Sequence, residues 1–215
     1  VGDGRIGPGD FTAGRWGFSV IFERFAFAAV LVLAISSLFL LLSQNWRSSI
    51  IALAVQYVAV FWLTGMFWPF GLAAVKLVAG WMAGAVLGAT QPDPEQVEDP
   101  YAGNSAFVFR LLAAGLVWVF LFPATPALVN LLPMPLAAAQ GAMLLIGMGL
   151  IHLGMTTRPL RVLLGLLTVL SGFEILYAGL ERSLMVAGLL AMVNLGLAFV
   201  GAYLLVGKTF QEEQP

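Results

Sequence analysis

From Phe25 to Leu42 the chain reads FAFAAVLVLAISSLFLLL, an apolar run with no charge in it. Six further mostly apolar runs follow, separated by short polar or proline-containing breaks. That feature decides the fold class. A helix that crosses a bilayer needs about 20 mostly apolar residues. Within the hydrocarbon, only a helix or a closed barrel satisfies its own backbone hydrogen bonds. The sequence therefore predicts an all-α polytopic membrane protein with about seven transmembrane helices, or six if the proline-rich fourth run does not fully cross.

Composition excludes the alternatives. The chain has 215 residues, 60% of them hydrophobic and only 10% charged, against about 25% charged in a soluble domain. Ten Lys+Arg and eleven Asp+Glu are too few to coat a globular surface. With no cysteine there is no disulfide framework and no thiolate-ligated zinc or iron–sulfur site. A net charge of −1 leaves no footprint for nucleic acid.

The runs divide the chain. Residues 1–24 are a Gly-rich tail without the basic start and cleavage site of a secretory signal, and with Trp16 and Phe18 placed for the membrane interface. Residues 25–89 hold three runs: Phe25 to Leu42, Ile50 to Trp68, and Gly71 to Ala89. Residues 90–105 are a hydrophilic loop carrying Asp93, Glu95, Glu98 and Asp99. Residues 106–135 hold the fourth run, Ala106 to Phe122. A piece from Ala127 to Leu132 follows, which Pro123, Pro126, Pro133 and Pro135 cut into a short re-entrant or interfacial segment. Residues 136–207 hold the last three runs, and 208–215 form a polar tail. The connecting loops place Arg47, Arg158, Arg161 and Lys208 on one side and Arg182 on the other, with Arg5 and Arg15 of the tail partly offsetting that bias. The positive-inside rule then puts the C-terminus in the cytoplasm, and a prokaryotic cytoplasmic membrane is the expected location.

Ionisable side chains inside a membrane are costly, and each marks a candidate functional site. Glu174 lies about 9 Å inside the end of the sixth run. Ser171 and Tyr177 stand three residues to either side, a spacing that sets helical residues near one another. A buried carboxyl with hydroxyls nearby suits proton transfer. Lys76 lies in the third run on a face with Ala73, Ala79, Gly80 and Ala83, small residues that admit close helix contact. Gln56 and Asn194 sit at mid-helix depth and read as helix–helix hydrogen-bonding groups unless they meet Glu174 or Lys76. Asn194 shares its stripe with Ala187, Ala191, Ala198 and Gly201. His152, near the end of the fifth run, titrates near neutral pH in its free state and completes the set of proton-path candidates. One histidine excludes a bis-His haem pair within the chain, and no nucleotide-binding glycine loop, HExxH or Ser/His/Asp set is visible. No cofactor is expected in this chain.

Residues 138 to 206 carry three closely spaced helices. A basic turn, TTRPLR, lies between the first two, an acid followed by Ile stands late in the second (SGFEILYAG), and a small-residue third helix ends GLAFVGAYLL. This stretch resembles the K subunit of respiratory complex I, the C subunit of Mrp-type cation/proton antiporters and the E component of hydrogenase-4-type membrane hydrogenases. The E-component group matches best in length. The resemblance implies that Glu174 takes the place of a membrane glutamate on a polar axis that carries protons between larger pump subunits. The second glutamate usual on the third helix of the K subunit is replaced here by LLAMVNLGLA, with Asn194 the nearest polar residue. Residues 25 to 88 read as a diverged copy of the same unit, with Arg47 in the basic turn, Gln56 in the second helix and Lys76 in the third.

Three functions follow. The first is a small membrane subunit of a proton- or cation-translocating redox complex, complex I-like or hydrogenase-like, with other membrane subunits and the lipid bilayer as its partners and a membrane carboxylate in a proton path. The second is a scaffold or anchor that packs pigments, quinone or partner helices in an electron-transfer or photosynthetic complex. The third is an independent secondary transporter, which requires paired charges and broken helices around a midplane site.

Overall fold

The computed structural model describes residues 25–90, 104–132, 134–181 and 183–212. The tail before Phe25 and the acidic segment 91–103 lie outside the described residues. Seven α-helices account for nearly all of the rest: α1 (Ala26–Leu42), α2 (Trp46–Thr64), α3 (Phe70–Ala89), α4 (Asn104–Leu131), α5 (Leu136–Gly154), α6 (Pro159–Leu180) and α7 (Leu184–Glu212). Six of these are long and apolar enough to cross a membrane. The exception is α1, at 17 residues. It spans about 26 Å at 1.5 Å per residue, close to the hydrocarbon thickness of about 30 Å.

The helix starts follow local chemistry. Asn45 caps α2, its side chain accepting from the Arg47 amide at 3.0 Å, so this helix begins four residues before the apolar run does. Pro69 and Pro135 stand just before α3 and α5, and Pro159 opens α6, where a missing amide costs nothing. At its far end α7 continues past Gly207 to Glu212 instead of giving way to a tail, because Lys-Thr-Phe-Gln-Glu contains no helix breaker.

The proline-rich segment corrects the sequence reading. Ala127–Leu132 is not a separate re-entrant or interfacial piece, because α4 runs unbroken through Pro123 and Pro126 to Leu131. Each proline removes one amide from the ladder. The Thr125 hydroxyl adds a bond between them, donating to the Leu121 carbonyl at 2.7 Å, and a side-chain hydroxyl of this kind lets membrane helices tolerate proline.

The helices stand in two rows, α1–α2–α3 and α5–α6–α7, packed in matched order: α1 on α5, α2 on α6 and α3 on α7. The rows also run in the same direction. Arg161 at the start of α6 reaches the Ser43 carbonyl at the end of α1 at 2.7 Å. At the other end, the indole of Trp68, between α2 and α3, donates to the Glu181 carbonyl after α6 at 3.2 Å. Outside the rows, α4 packs mainly on α5 and the edge of α1, and most of its apolar surface is exposed.

Small residues bring the rows together. Ala73, Ala79, Gly80 and Ala83 of α3 are all buried, as are Ala187, Ala191, Ala198 and Gly201 of α7. A Cβ on Gly80 would overlap the ring of Tyr57 from α2. Gly80→Leu is therefore expected to destabilise the bundle by about 1–3 kcal/mol through overpacking, read as a lower thermal midpoint in detergent.

Candidate functional site

Four helices, α2, α3, α6 and α7, enclose a polar cluster in the interior of the bundle. Glu174 of α6 is fully buried and Lys76 of α3 is 1% exposed. The two form an ion pair, with Lys76 Nζ donating to Glu174 Oε1. The same oxygen accepts from Asn194 Nδ2 of α7 at 2.8 Å. Asn194 Oδ1 in turn accepts from the Tyr57 hydroxyl of α2 at 3.2 Å. Ser171, one turn before Glu174, lies on the same side of α6 as that hydroxyl and donates to the Leu167 carbonyl at 2.8 Å. Glu174 Oε2 has no hydrogen-bond partner among the described residues.

Each helix delivers its group for a local reason. The stripe of Ala73, Ala79, Gly80 and Ala83 turns one face of α3 onto α2 and α7, and Lys76 sits on that face. Snorkelling out to the interface is thereby closed to it, although the residue lies only about 9 Å from the start of its helix. On α7, Asn194 comes between Ala191 and Ala198 on the buried stripe, which faces the same interior. The pair thus closes a diagonal across the four-helix square, from α3 to α6.

The sequence-predicted residues separate into three groups. Glu174, Lys76, Ser171 and Asn194 meet in the cluster. Gln56 is fully buried but lies next to it, its Nε2 donating to Thr168 Oγ1 at 3.3 Å, while its Oε1 has no partner among the described residues. Tyr177 and His152 lie elsewhere. Tyr177 is half-buried beside Phe173, with ring centroids 6.3 Å apart, and packs against the Trp68–Ala178–Ala187 cluster. His152 sits at the opposite end of the bundle, in the last turn of α5.

Helix geometry explains why Tyr177 turns away. A step of three residues rotates the side chain by about 60° short of a full turn. Thr168, Ser171, Glu174 and Tyr177 therefore sweep around α6 instead of forming one line. Thr168 faces Gln56 of α2, Ser171 faces Tyr57, Glu174 faces Lys76 and Asn194, and Tyr177 has rotated past the cluster. One member, Tyr57, and one neighbour, Thr168, had not been singled out from the sequence. Tyr57 directly follows Gln56, and Thr168 extends the three-residue polar spacing of Ser171 and Glu174 by one step. A tyrosine far from either end of an apolar run was the available signal, since membrane tyrosines are enriched at the interfaces.

In energetic terms the cluster is expensive to build. Desolvating two charges costs several kcal/mol each, and a buried pair is often no more stable than apolar side chains of the same volume. Interhelical hydrogen bonds in membranes return about 0.6 kcal/mol each on average. Two such bonds do not offset the desolvation. No metal-binding group of three or more His, Cys, Asp or Glu occurs among the described residues. No family model, characterised protein or solved structure matches the chain.

Proposed function

We propose that this chain is a cofactor-free membrane subunit of a proton- or cation-translocating redox complex, in which the Lys76–Glu174 pair is a proton-exchanging element. One observation carries the reading: a fully buried carboxyl takes both of its hydrogen bonds on one oxygen. Its Oε1 accepts from a lysine and from an asparagine, while its Oε2 is without a partner among the described residues. Oε2 is then the atom at which a proton arrives or leaves. Lys76 stabilises the carboxylate when that proton is gone. When Lys76 passes its own proton to Oε1, both groups become neutral, and the pair avoids the cost of separated charge. Asn194 holds the carboxyl in place, and Tyr57 extends the hydrogen-bonded chain towards α2.

The resemblance of residues 138 to 206 to the K, C and E subunits supports the complex-bound setting, since Glu174 occupies the position of the family's membrane glutamate. The region that resembles the K subunit's third helix has no second acid, and Asn194 is its nearest polar residue. In this chain the partner charge comes instead from Lys76 of the first row. The exposed apolar face of α4 and the scarcity of polar loops fit a chain that works among other membrane subunits. The basic residues Arg47, Arg110, Arg158 and Arg161 gather at the α1–α2 and α5–α6 turns or close to them, which favours that end, and the C-terminus with it, as the cytoplasmic side.

A second reading rests on the same pair: a lock that fixes α3 against α6 in a scaffold with no transport role. Isolation in mild detergent followed by identification of companion chains tests the setting. Large antiporter-like or redox subunits are the expected companions. Recovery of the chain only as a homo-oligomer would contradict a subunit role.

A further inference from the structure

The amide that bonds to Glu174 is held at both of its ends. Asn194 Nδ2 donates to Glu174 Oε1 at 2.8 Å, and Asn194 Oδ1 accepts from the Tyr57 hydroxyl of α2 at 3.2 Å. A carboxylate only accepts, so the nitrogen end of the amide must face it, and the oxygen end then needs a donor. Tyr57 supplies that donor from a buried position, 1% exposed, within an apolar cluster that includes Ala83, Leu164 and Ala198. The ring is itself held in place. A Cβ on Gly80 of α3 would overlap it, so the ring lies against α3 where only a glycine leaves room. Gly80 follows Lys76 by four residues, about one helical turn. The seat of the ring therefore stands one turn from the charge that pairs with Glu174.

We propose that Tyr57 is a positioning residue for Glu174: seated on Gly80, it clamps the Asn194 amide with its donor on Oε1, which keeps Oε2 as the open oxygen of the carboxyl. The proposal rests on the reading of Glu174 as a proton-exchanging group. Tyr57 carries no proton to the carboxyl, and its effect passes through Asn194. An amide bonded at both ends cannot turn about its Cβ–Cγ bond without breaking both bonds. Bonded at one end, it is free to turn. Without the hydroxyl, Oδ1 of the fully buried Asn194 loses its donor, and an unpaired buried acceptor is costly. Lys76 Nζ shares Oε1 with Nδ2 and has further hydrogens to offer. An unclamped Asn194 turns its oxygen to that lysine and competes with Glu174 for it. The clamp prevents this and leaves Lys76 to the carboxylate.

The test has two arms. In the first, the full chain in mild detergent carries isotope-labelled asparagine, and the side-chain amide signal of Asn194 is read by NMR, assigned by its absence in Asn194→Leu. Tyr57→Phe keeps the ring and removes the hydroxyl. It is expected to move the Asn194 signal towards that of Asn45, an exposed asparagine. Trp68→Phe is the control. It removes an interhelical hydrogen bond of the same length, to the Glu181 carbonyl at 3.2 Å. It is expected to lower the thermal midpoint at least as much as Tyr57→Phe and to leave the Asn194 signal in place. In the second arm, proton pumping by the intact complex is measured in vesicles. Tyr57→Phe is expected to slow it about fivefold, the scale of one neutral hydrogen bond, and Trp68→Phe less than about twofold on the same scale. An Asn194 signal that Tyr57→Phe does not move, or that Trp68→Phe moves equally, overturns the positioning role. So does an unchanged pumping rate in Tyr57→Phe when Glu174→Gln pumps poorly. Normal pumping in Glu174→Gln overturns the proton-exchange reading instead, and the amide signal then decides the role of Tyr57 as a clamp.

Discussion

Lys76→Met is expected to destabilise the bundle by about 3–5 kcal/mol, the usual cost of removing one member of a buried ion pair. The methionine keeps much of the lysine's length and fills the same space. What it leaves behind is a fully buried Glu174 with Asn194 as its remaining hydrogen-bond partner among the described residues. The double variant Lys76→Met/Glu174→Gln is expected to recover most of that loss. It removes both charges, and the Gln amide can still bond to Asn194. The measurement is heat- or denaturant-induced loss of helical circular dichroism in detergent. Equal destabilisation of the single and double variants would mean that Lys76 matters for its packing and not for its charge.

Gly172→Leu is expected to cost about 3 kcal/mol, the upper part of the overpacking range. A Cβ at this position would stand 2.7 Å from the Ala142 carbonyl oxygen and 2.9 Å from the Ile146 amide nitrogen, backbone atoms of α5 that have no rotamer to move away with. Even Gly172→Ala must push α6 off α5. Gly188 and Gly196 of α7 provide the contrast, since a Cβ at either meets nothing within 4 Å. Alanine there is expected to be neutral or to stabilise by up to about 1 kcal/mol, the helix-propensity difference. Gly172 lies two residues before Glu174, so its variants should also disturb the ion pair.

The number of helices was legible in the sequence because hydrocarbon thickness imposes run lengths near 20 residues. The burial of Glu174 and Lys76 was legible for a similar reason, since a charge in an apolar run must face protein. Their pairing was not. Periodicity fixes where a residue lies on its own helix, but not which neighbouring helix it meets. The α3–α6 diagonal exists only because α2 and α7 complete the square. Tyr177 was misplaced because a three-residue step leaves a rotation of about 60° that accumulates along α6. The proline-rich segment was misread because proline's effect depends on whether neighbouring groups take up the freed carbonyls, and sequence spacing does not reveal that.

The central claim is that Glu174 exchanges protons instead of only holding helices together. The direct measurement is proton pumping by the intact complex reconstituted in vesicles, carrying Glu174→Gln. Glutamine keeps the shape and can still bond to Asn194, so assembly is expected to be preserved. The account predicts a clear fall in pumping rate or in protons moved per electron. An unchanged rate and an unchanged ratio would contradict it and leave the pair as a structural lock.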